Sequence, residues 1–389
     1  MIRFWNLLHW TERPYRIRLS RSQRKRALLS YIKKPFENPD IKHIHTCYQR
    51  ARIIAAIPDD FGFDVDVLDF TSDYRVSYRD YELIFGFGQP LFNSFKGPFA
   101  GSRVYFATSA DPNFNNHAEA MRLHSIRERR HVMLRPMRTM TQEWAVSVTL
   151  SDLIVCLGNK WSMGTFRHYN SRTVCLPVTY CYHWPAESVT FETEQGRGHF
   201  IWFAGSGAVH KGLDLVLEAM DLVGDDYFLH VCGPISGETD FLDLYHQQLF
   251  QSANVKYHGL VDIRSPEFVR LMNLCAFVVL PSCSEGGGSS VYTCMHYGLI
   301  PVVSTESSVE TLDFGIVIDD ATPASVARAM QQAHQLSRNE IERRSRAAQE
   351  YCQSCQSMER FRSALKASLE GVLSARNLTG CGVVMAQGQ

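Results

Sequence analysis

The sequence predicts an α/β protein of two doubly wound domains in tandem, with helices at the C-terminus. Three observations carry this. The chain has 389 residues, which at about 150 per domain points to two or three units. From about residue 40, short continuously apolar runs alternate with helical stretches, as parallel strands buried on both faces require. Two glycine-rich segments each follow an apolar strand and open a helix, where open sheets of this kind bind their ligands.

In the first half, 43–47 reads as a strand and 49–56 as a helix stopped by Pro58. Residues 63–67 alternate with period two, a strand. Residues 81–85, 103–107, 152–156 and 173–176 follow as strands, with a helix over 115–127. The 177–198 stretch, with Pro177 and Pro185, reads as a polar linker. The second half has strands at 200–204, 228–232, 255–257, 277–280, 301–304 and 315–318, and helices at 213–222, 239–252, 266–273 and 290–297. Thr322 followed by Pro323 is an N-cap with proline at the first helical position, and Ser337 with Glu340 is a capping-box pattern. The expected organisation is a basic leader at 1–35, a first domain at 36–185, a second at 186–350, a crossing helix at 351–375 and a tail at 376–389.

Composition excludes several classes. Hydrophobic residues at 45% and charged residues at 21% rule out wholesale disorder and coiled coil. Forty basic and forty acidic residues cancel, so the chain is not built chiefly for nucleic acid. No apolar run approaches the roughly 18–20 residues of a membrane span. Most of the eleven cysteines sit in apolar runs, as buried free thiols in a reducing cytoplasm would. Cys352 and Cys355 lack the second pair that a zinc site needs, so no metal is expected. Residues 1–35 carry ten basic side chains and one acid, net +9, interleaved with Trp5, Trp10, Leu28, Leu29 and Ile32. Such a segment suits peripheral contact with an anionic membrane surface, and equally a surface-packed leader with no partner.

The chemistry concentrates at two strand-to-helix junctions of the second domain. The first is Gly205-Ser206-Gly207-Ala208-Val209-His210-Lys211-Gly212. Amides of a tight glycine turn plus a lysine at a helix start make an anion site; the P-loop spacing is absent. The second is Ser284-Glu285-Gly286-Gly287-Gly288-Ser289-Ser290. Three glycines cost backbone entropy, and a loop that admits a phosphate to its amides explains them. Glu285, an acceptor-only carboxylate, suits sugar hydroxyls.

Lys211-Gly212 after the turn, His258-Gly259, and Pro281 to Gly286 followed by Met295-His296-Tyr297-Gly298-Leu299-Ile300-Pro301 resemble the donor-binding domain of the GT-B glycosyltransferases of family 4. The match runs over 199–320. The resemblance implies two Rossmann-like domains with an interdomain cleft, a nucleotide-diphosphate sugar donor, a hydroxyl acceptor, a usually retaining reaction and no metal or other cofactor. A catalytically silent sugar- or nucleotide-binding module is the alternative. The resemblance gives Lys211 the donor diphosphate, Glu285 the transferred sugar, and Gly287, Gly288, Ser289 and Ser290 the phosphates. Gly205, Ser206, Gly207 and His210 complete the donor loop. Two positions depart from the family: Ser206 stands five before Lys211 where an arginine is usual, and Thr293 stands eight after Glu285 where a second glutamate meets the ribose. On the acceptor side the expected residue is Asp111, while His117 and His296 read as surface and packed histidines.

Overall fold

The computed structural model describes residues 13–17, 25–38, 46–188 and 196–381, with side chains described through 374. Among the described residues thirteen strands form two sheets. The first sheet contains β1 (Tyr15–Ile17), β2 (Lys25–Tyr31), β3 (Phe63–Asp69), β4 (Leu83–Gly86), β5 (Ser102–Ala107), β6 (Leu153–Leu157) and β7 (Thr173–Leu176). Their order is β1-β3-β2-β4-β5-β6-β7, parallel throughout except for β1, which runs antiparallel to β3. The second contains β8 (His199–Phe203), β9 (Phe228–Cys232), β10 (Val255–Gly259), β11 (Phe277–Leu280), β12 (Ile300–Ser304) and β13 (Ile316–Ile318), all parallel in the order β10-β9-β8-β11-β12-β13. Counted from β8 this is 3-2-1-4-5-6, the doubly wound order whose direction reverses between strands 1 and 4.

The α-helices among the described residues are α1 (Lys34–Glu37), α2 (Thr46–Ala56), α3 (Gln89–Asn93), α4 (Pro112–Arg130), α5 (Gln142–Leu150), α6 (Lys160–Phe166), α7 (Leu213–Met220), α8 (Thr239–Leu244), α9 (His246–Phe250), α10 (Pro266–Leu274), α11 (Ser289–His296), α12 (Pro323–His334), α13 (Arg338–Cys355) and α14 (Met358–Cys381). Thr322 and Ser337 accept the backbone N–H of Ser325 and Glu340, so both expected caps form. No described helix is long and apolar enough to cross a membrane.

β6 and β11 are buried along their whole length on both faces, which explains their unbroken apolar runs. The two cores meet. Leu123 and Ile126 of α4 pack into the second domain's core, while Phe361, Leu365 and Leu369 of α14 return to the first. Lys366 and Arg362 of the same helix pair with Asp60.

Two expectations are corrected. The leader does not extend through residue 35, because 25–31 is β2, a central strand paired with β3 and β4. Leu28 and Leu29 are in the core and unavailable to a lipid surface. The basic residues that disguised this strand have protein partners: Lys25 pairs with Glu82, and Arg26 with Asp66 and Asp80. Trp5 and Trp10 lie outside the described residues. The strand expected at 43–47 is also displaced, since Thr46 and Cys47 open α2 and 43–45 lie outside the described residues.

Candidate active site

β8 and β11 are neighbours in the sheet, so the junctions that follow them must meet. The backbone ties them together. Cys283 N–H donates to His210 C=O at 2.9 Å, and the Ser282 hydroxyl reaches the same carbonyl at 3.2 Å. Gly212 adopts φ +70°, and a Cβ there would lie 2.3 Å from Pro281 O, so only glycine permits the approach. The meeting point is the topological switch point, where ligands of such sheets bind.

The structure brings Lys211 and Glu285 into a direct ion pair, with Ser282 Oγ donating to the same carboxylate oxygen at 2.9 Å. Both side chains are nearly buried. Burial alone would push the Glu285 carboxyl up, but the charges of Lys211, His210 and Arg138 outweigh it and hold it at about 2. Glu285 is therefore a carboxylate, an acceptor for hydroxyl donors. Lys211 has three N–H donors, and the pair with Glu285 occupies one.

His210 lies one residue before Lys211 and is 1% exposed. Its Nδ1 is 2.6 Å from Glu119 Oε2, and its Nε2 is 2.6 Å from Ser284 O. Ser284 O only accepts, so Nε2 donates to it, and Nδ1 faces the Glu119 carboxylate. Glu119, from α4 of the first domain, also accepts the N–H of Met137 and of Arg138 on Oε1, at 2.6 and 3.0 Å. Burial alone would raise this carboxyl; His210 and the two amides hold it below the usual range.

The glycine turn departs from the expected open anion site. The amides of Gly207 and Ala208 donate to the buried carboxylate of Glu238 at 2.7 and 2.9 Å. The turn does hold an anion, as its geometry demands, but the chain supplies it. Gly205 and Ser206 remain at the surface of the turn.

The triple glycine has a second purpose as well. A Cβ at Gly286 would meet the backbone of Thr108 and Ser109, and one at Gly287, where φ is +98°, would lie 2.1 Å from Val178 Cγ2. The first domain's chain thus presses directly on this loop. Gly288 is the N-cap of α11 and gives it no side-chain cap. Arg50 of α2 reaches across from the first domain, donating to Thr179 Oγ1 at 2.9 Å and Ser289 Oγ at 3.4 Å. Ser290 is half-buried beside it. Thr293 is buried, and its hydroxyl donates to Ser289 C=O at 3.1 Å.

On the acceptor side Asp111 is not an open group. It is fully buried as the N-cap of α4, with Oδ1 accepting from the N–H of Asn113 and Phe114. Its Oδ2 has no partner, and burial raises its pKa. The turn-forming role of an aspartate before proline explains the position. His117 is exposed. His296 is packed, stacked on Tyr182 and bonded through Nδ1 to Tyr180 Oη, and burial lowers its pKa to about 4. Among the described residues no cluster of His, Cys, Asp or Glu is arranged to hold a metal ion, and ten cysteines are free thiols.

Sequence reasoning missed Glu119, Arg138, Glu238 and Arg50. Their partners are 18 to 239 residues away in the chain. The one local signal was the basic run of α4 and the loop after it, which holds Glu119 as a lone buried acid.

The sequence model of the family described as glycosyl transferases group 1 matches residues 188–351, which contain both junctions. No curated protein sequence matches the chain. Among solved structures, Anabaena HepE in complex with UDP and glucose is 15% identical with a TM-score of 0.57, covering 91% of this chain and all of its own. Sucrose-phosphate synthase from Thermosynechococcus elongatus is 12% identical with a TM-score of 0.62, at the same coverage. WaaG, a glycosyltransferase involved in lipopolysaccharide biosynthesis, is 13% identical with a TM-score of 0.55, covering 88% of this chain and 98% of its own. Full-length likeness at such low identity establishes the architecture, and the sequence match establishes the rear domain. The chain has the two-domain GT-B fold, and its rear domain matches the model of the glycosyl transferases group 1 family.

Proposed function

We propose that this chain transfers a sugar, with retention, from a nucleotide-diphosphate sugar to a hydroxyl acceptor. The observation that carries the reading is the Lys211–Glu285 pair at the switch point, between a glycine turn and the uncapped start of α11. HepE, of the same fold, was solved with UDP-glucose, which supports a donor of this class.

In this reading the bond from the sugar's anomeric carbon to the diphosphate breaks and a bond to the acceptor oxygen forms. The acceptor's proton leaves with the diphosphate. The free N–H donors of Lys211 and the first amides of α11 meet the charge that builds on the leaving group. The Glu285 carboxylate accepts hydrogen bonds from the sugar hydroxyls and holds the ring for attack. No resident metal takes part.

A silent binding module is the second reading, favoured by the amides of Gly207 and Ala208 being already occupied by Glu238. Incubation with a panel of nucleotide sugars separates the two. Release of nucleoside diphosphate, with the donor's anomeric configuration kept in the product by NMR coupling, supports the transferase. Binding by calorimetry with no release on any acceptor gives the module. Inverted configuration in the product removes the retaining mechanism.

A further inference from the structure

We infer that Arg138, from the first domain, supplies the cation that draws the donor's diphosphate into the rear domain's pocket. This rests on the donor-site reading above and deepens it. The argument is one of charge. A nucleoside diphosphate brings two or more negative charges, yet the basic side chains that follow the glycine turn are each paired with an acid. Lys211 is paired with Glu285, and His210 with Glu119. Glu238 adds a further buried negative charge on the glycine turn. Taken alone, these groups would repel a diphosphate.

Arg138 changes that balance. Among the described residues its guanidinium has no hydrogen bond and no ion pair, while its backbone is fixed on both sides. Its N–H donates to Glu119 at 3.0 Å, and its carbonyl accepts from Asn115 Nδ2 at 2.7 Å. Its stem lies directly on the donor turn: a Cβ built on Gly207 would be 2.7 Å from Arg138 Cγ and 3.0 Å from Cδ. Only a glycine there leaves room for it. The same Cβ would be 3.5 Å from His210 Cβ, so the stem runs beside the residue preceding Lys211. The low pKa of Glu285 owes part of its depression to the Arg138 charge, which places the guanidinium within electrostatic reach of the pair. Arg138 therefore lies on Gly207, the neighbour in sequence of Ser206, and reaches the turn from the other domain. A planar guanidinium also suits two oxygens of a phosphate at once.

Glu119 is the positioning residue in this arrangement. One carboxylate oxygen fixes the Arg138 amide and the other holds His210, so the first-domain cation and the rear-domain turn share one anchor.

The test uses the full chain and calorimetric titration with UDP, GDP, ADP and the matching nucleosides. For the diphosphate that binds the wild type most tightly, Arg138→Gln is expected to weaken binding about ten- to a hundredfold, the range of a lost charged hydrogen bond. Binding of the nucleoside alone is expected to stay unchanged, and Arg138→Lys to fall between, keeping the charge without the fork. Equal diphosphate affinity in Arg138→Gln and wild type overturns the inference alone. Equal loss of diphosphate and nucleoside also overturns it, because the effect would then not lie at the phosphates. A wild-type chain that binds none of the three diphosphates overturns the donor-site reading itself.

Discussion

Glu119 is the residue on which the two domains are most tightly keyed, and its removal has a calculable cost. Its carboxylate is 1% exposed and bonded to the His210 ring and to two backbone amides. Glu119→Ala leaves the buried His210 ring without its carboxylate, and removing one partner of a buried pair costs up to about 3–5 kcal/mol. A ring neutral at Nδ1 still donates from Nε2 to Ser284 O at 2.6 Å, but its Nδ1 is then a buried acceptor without the partner it had. The two amides lie in an exposed loop, where water can replace the carboxylate, so they add little. Glu119→Gln is different. The glutamine oxygen can accept both amides while its NH2 donates to a neutral imidazole, and every hydrogen bond survives without charge. We expect Glu119→Gln to cost under about 1.5 kcal/mol, the spread of an ordinary hydrogen bond. Urea denaturation of both variants measures the difference, and 15N chemical shifts of the His210 ring report its protonation. Equal destabilisation by the two variants would refute the reasoning.

Three further outcomes are expected. Gly287→Ala adds a methyl 2.1 Å from Val178 Cγ2 at a φ of +98°, so it should lower the urea midpoint by the equivalent of about 2–4 kcal/mol, combining overpacking with left-handed backbone strain. Glu285, held at about 2 against an ordinary 4.5, contributes stability that is fully present above pH 4.5 and is lost as pH falls toward 2. At about 1.4 kcal/mol per pH unit this is on the order of 3 kcal/mol, and acid titration of Glu285→Gln should lack that decline. His230 lies in a chain of imidazoles from His199 through His258 to Glu267, each link 3.1 Å, and burial with its neighbours' charges lowers its pKa to about 3. The unfolded chain takes up this proton near pH 6.5 and the folded one does not, so stability should fall as pH drops from 6.5 toward 3 and fall less in His230→Gln.

Much of the fold was legible because buried parallel strands leave a one-dimensional mark. The runs at 228–232, 277–280 and 173–176 coincide with β9, β11 and β7. The central strand β2 was hidden because its apolar run, Ala27 to Ile32, follows two basic residues in a basic segment; the run itself was the usable signal. The helix expected over 239–252 breaks at Tyr245, whose hydroxyl turns inward to Glu218, a tertiary contact that no periodicity encodes. At the site, Lys211 and Glu285 were readable from the chemistry of their junctions, and the adjacency of β8 and β11 put them together. The surrounding charge system was not readable. Arg138, Glu119 and Glu238 act through partners on other elements, and only the packing of α4 against the rear domain creates those contacts.

The central claim is that a diphosphate is gripped where β8 and β11 feed their helices, by Lys211 next to a sugar-holding Glu285. Its most direct test is the turnover of Lys211→Ala with the donor and acceptor pair that the wild type uses best. By analogy with the loss of one transition-state donor, the account predicts a rate about a hundred- to a thousandfold lower in a chain that still folds. A folded Lys211→Ala chain releasing nucleoside diphosphate at the wild-type rate would contradict it.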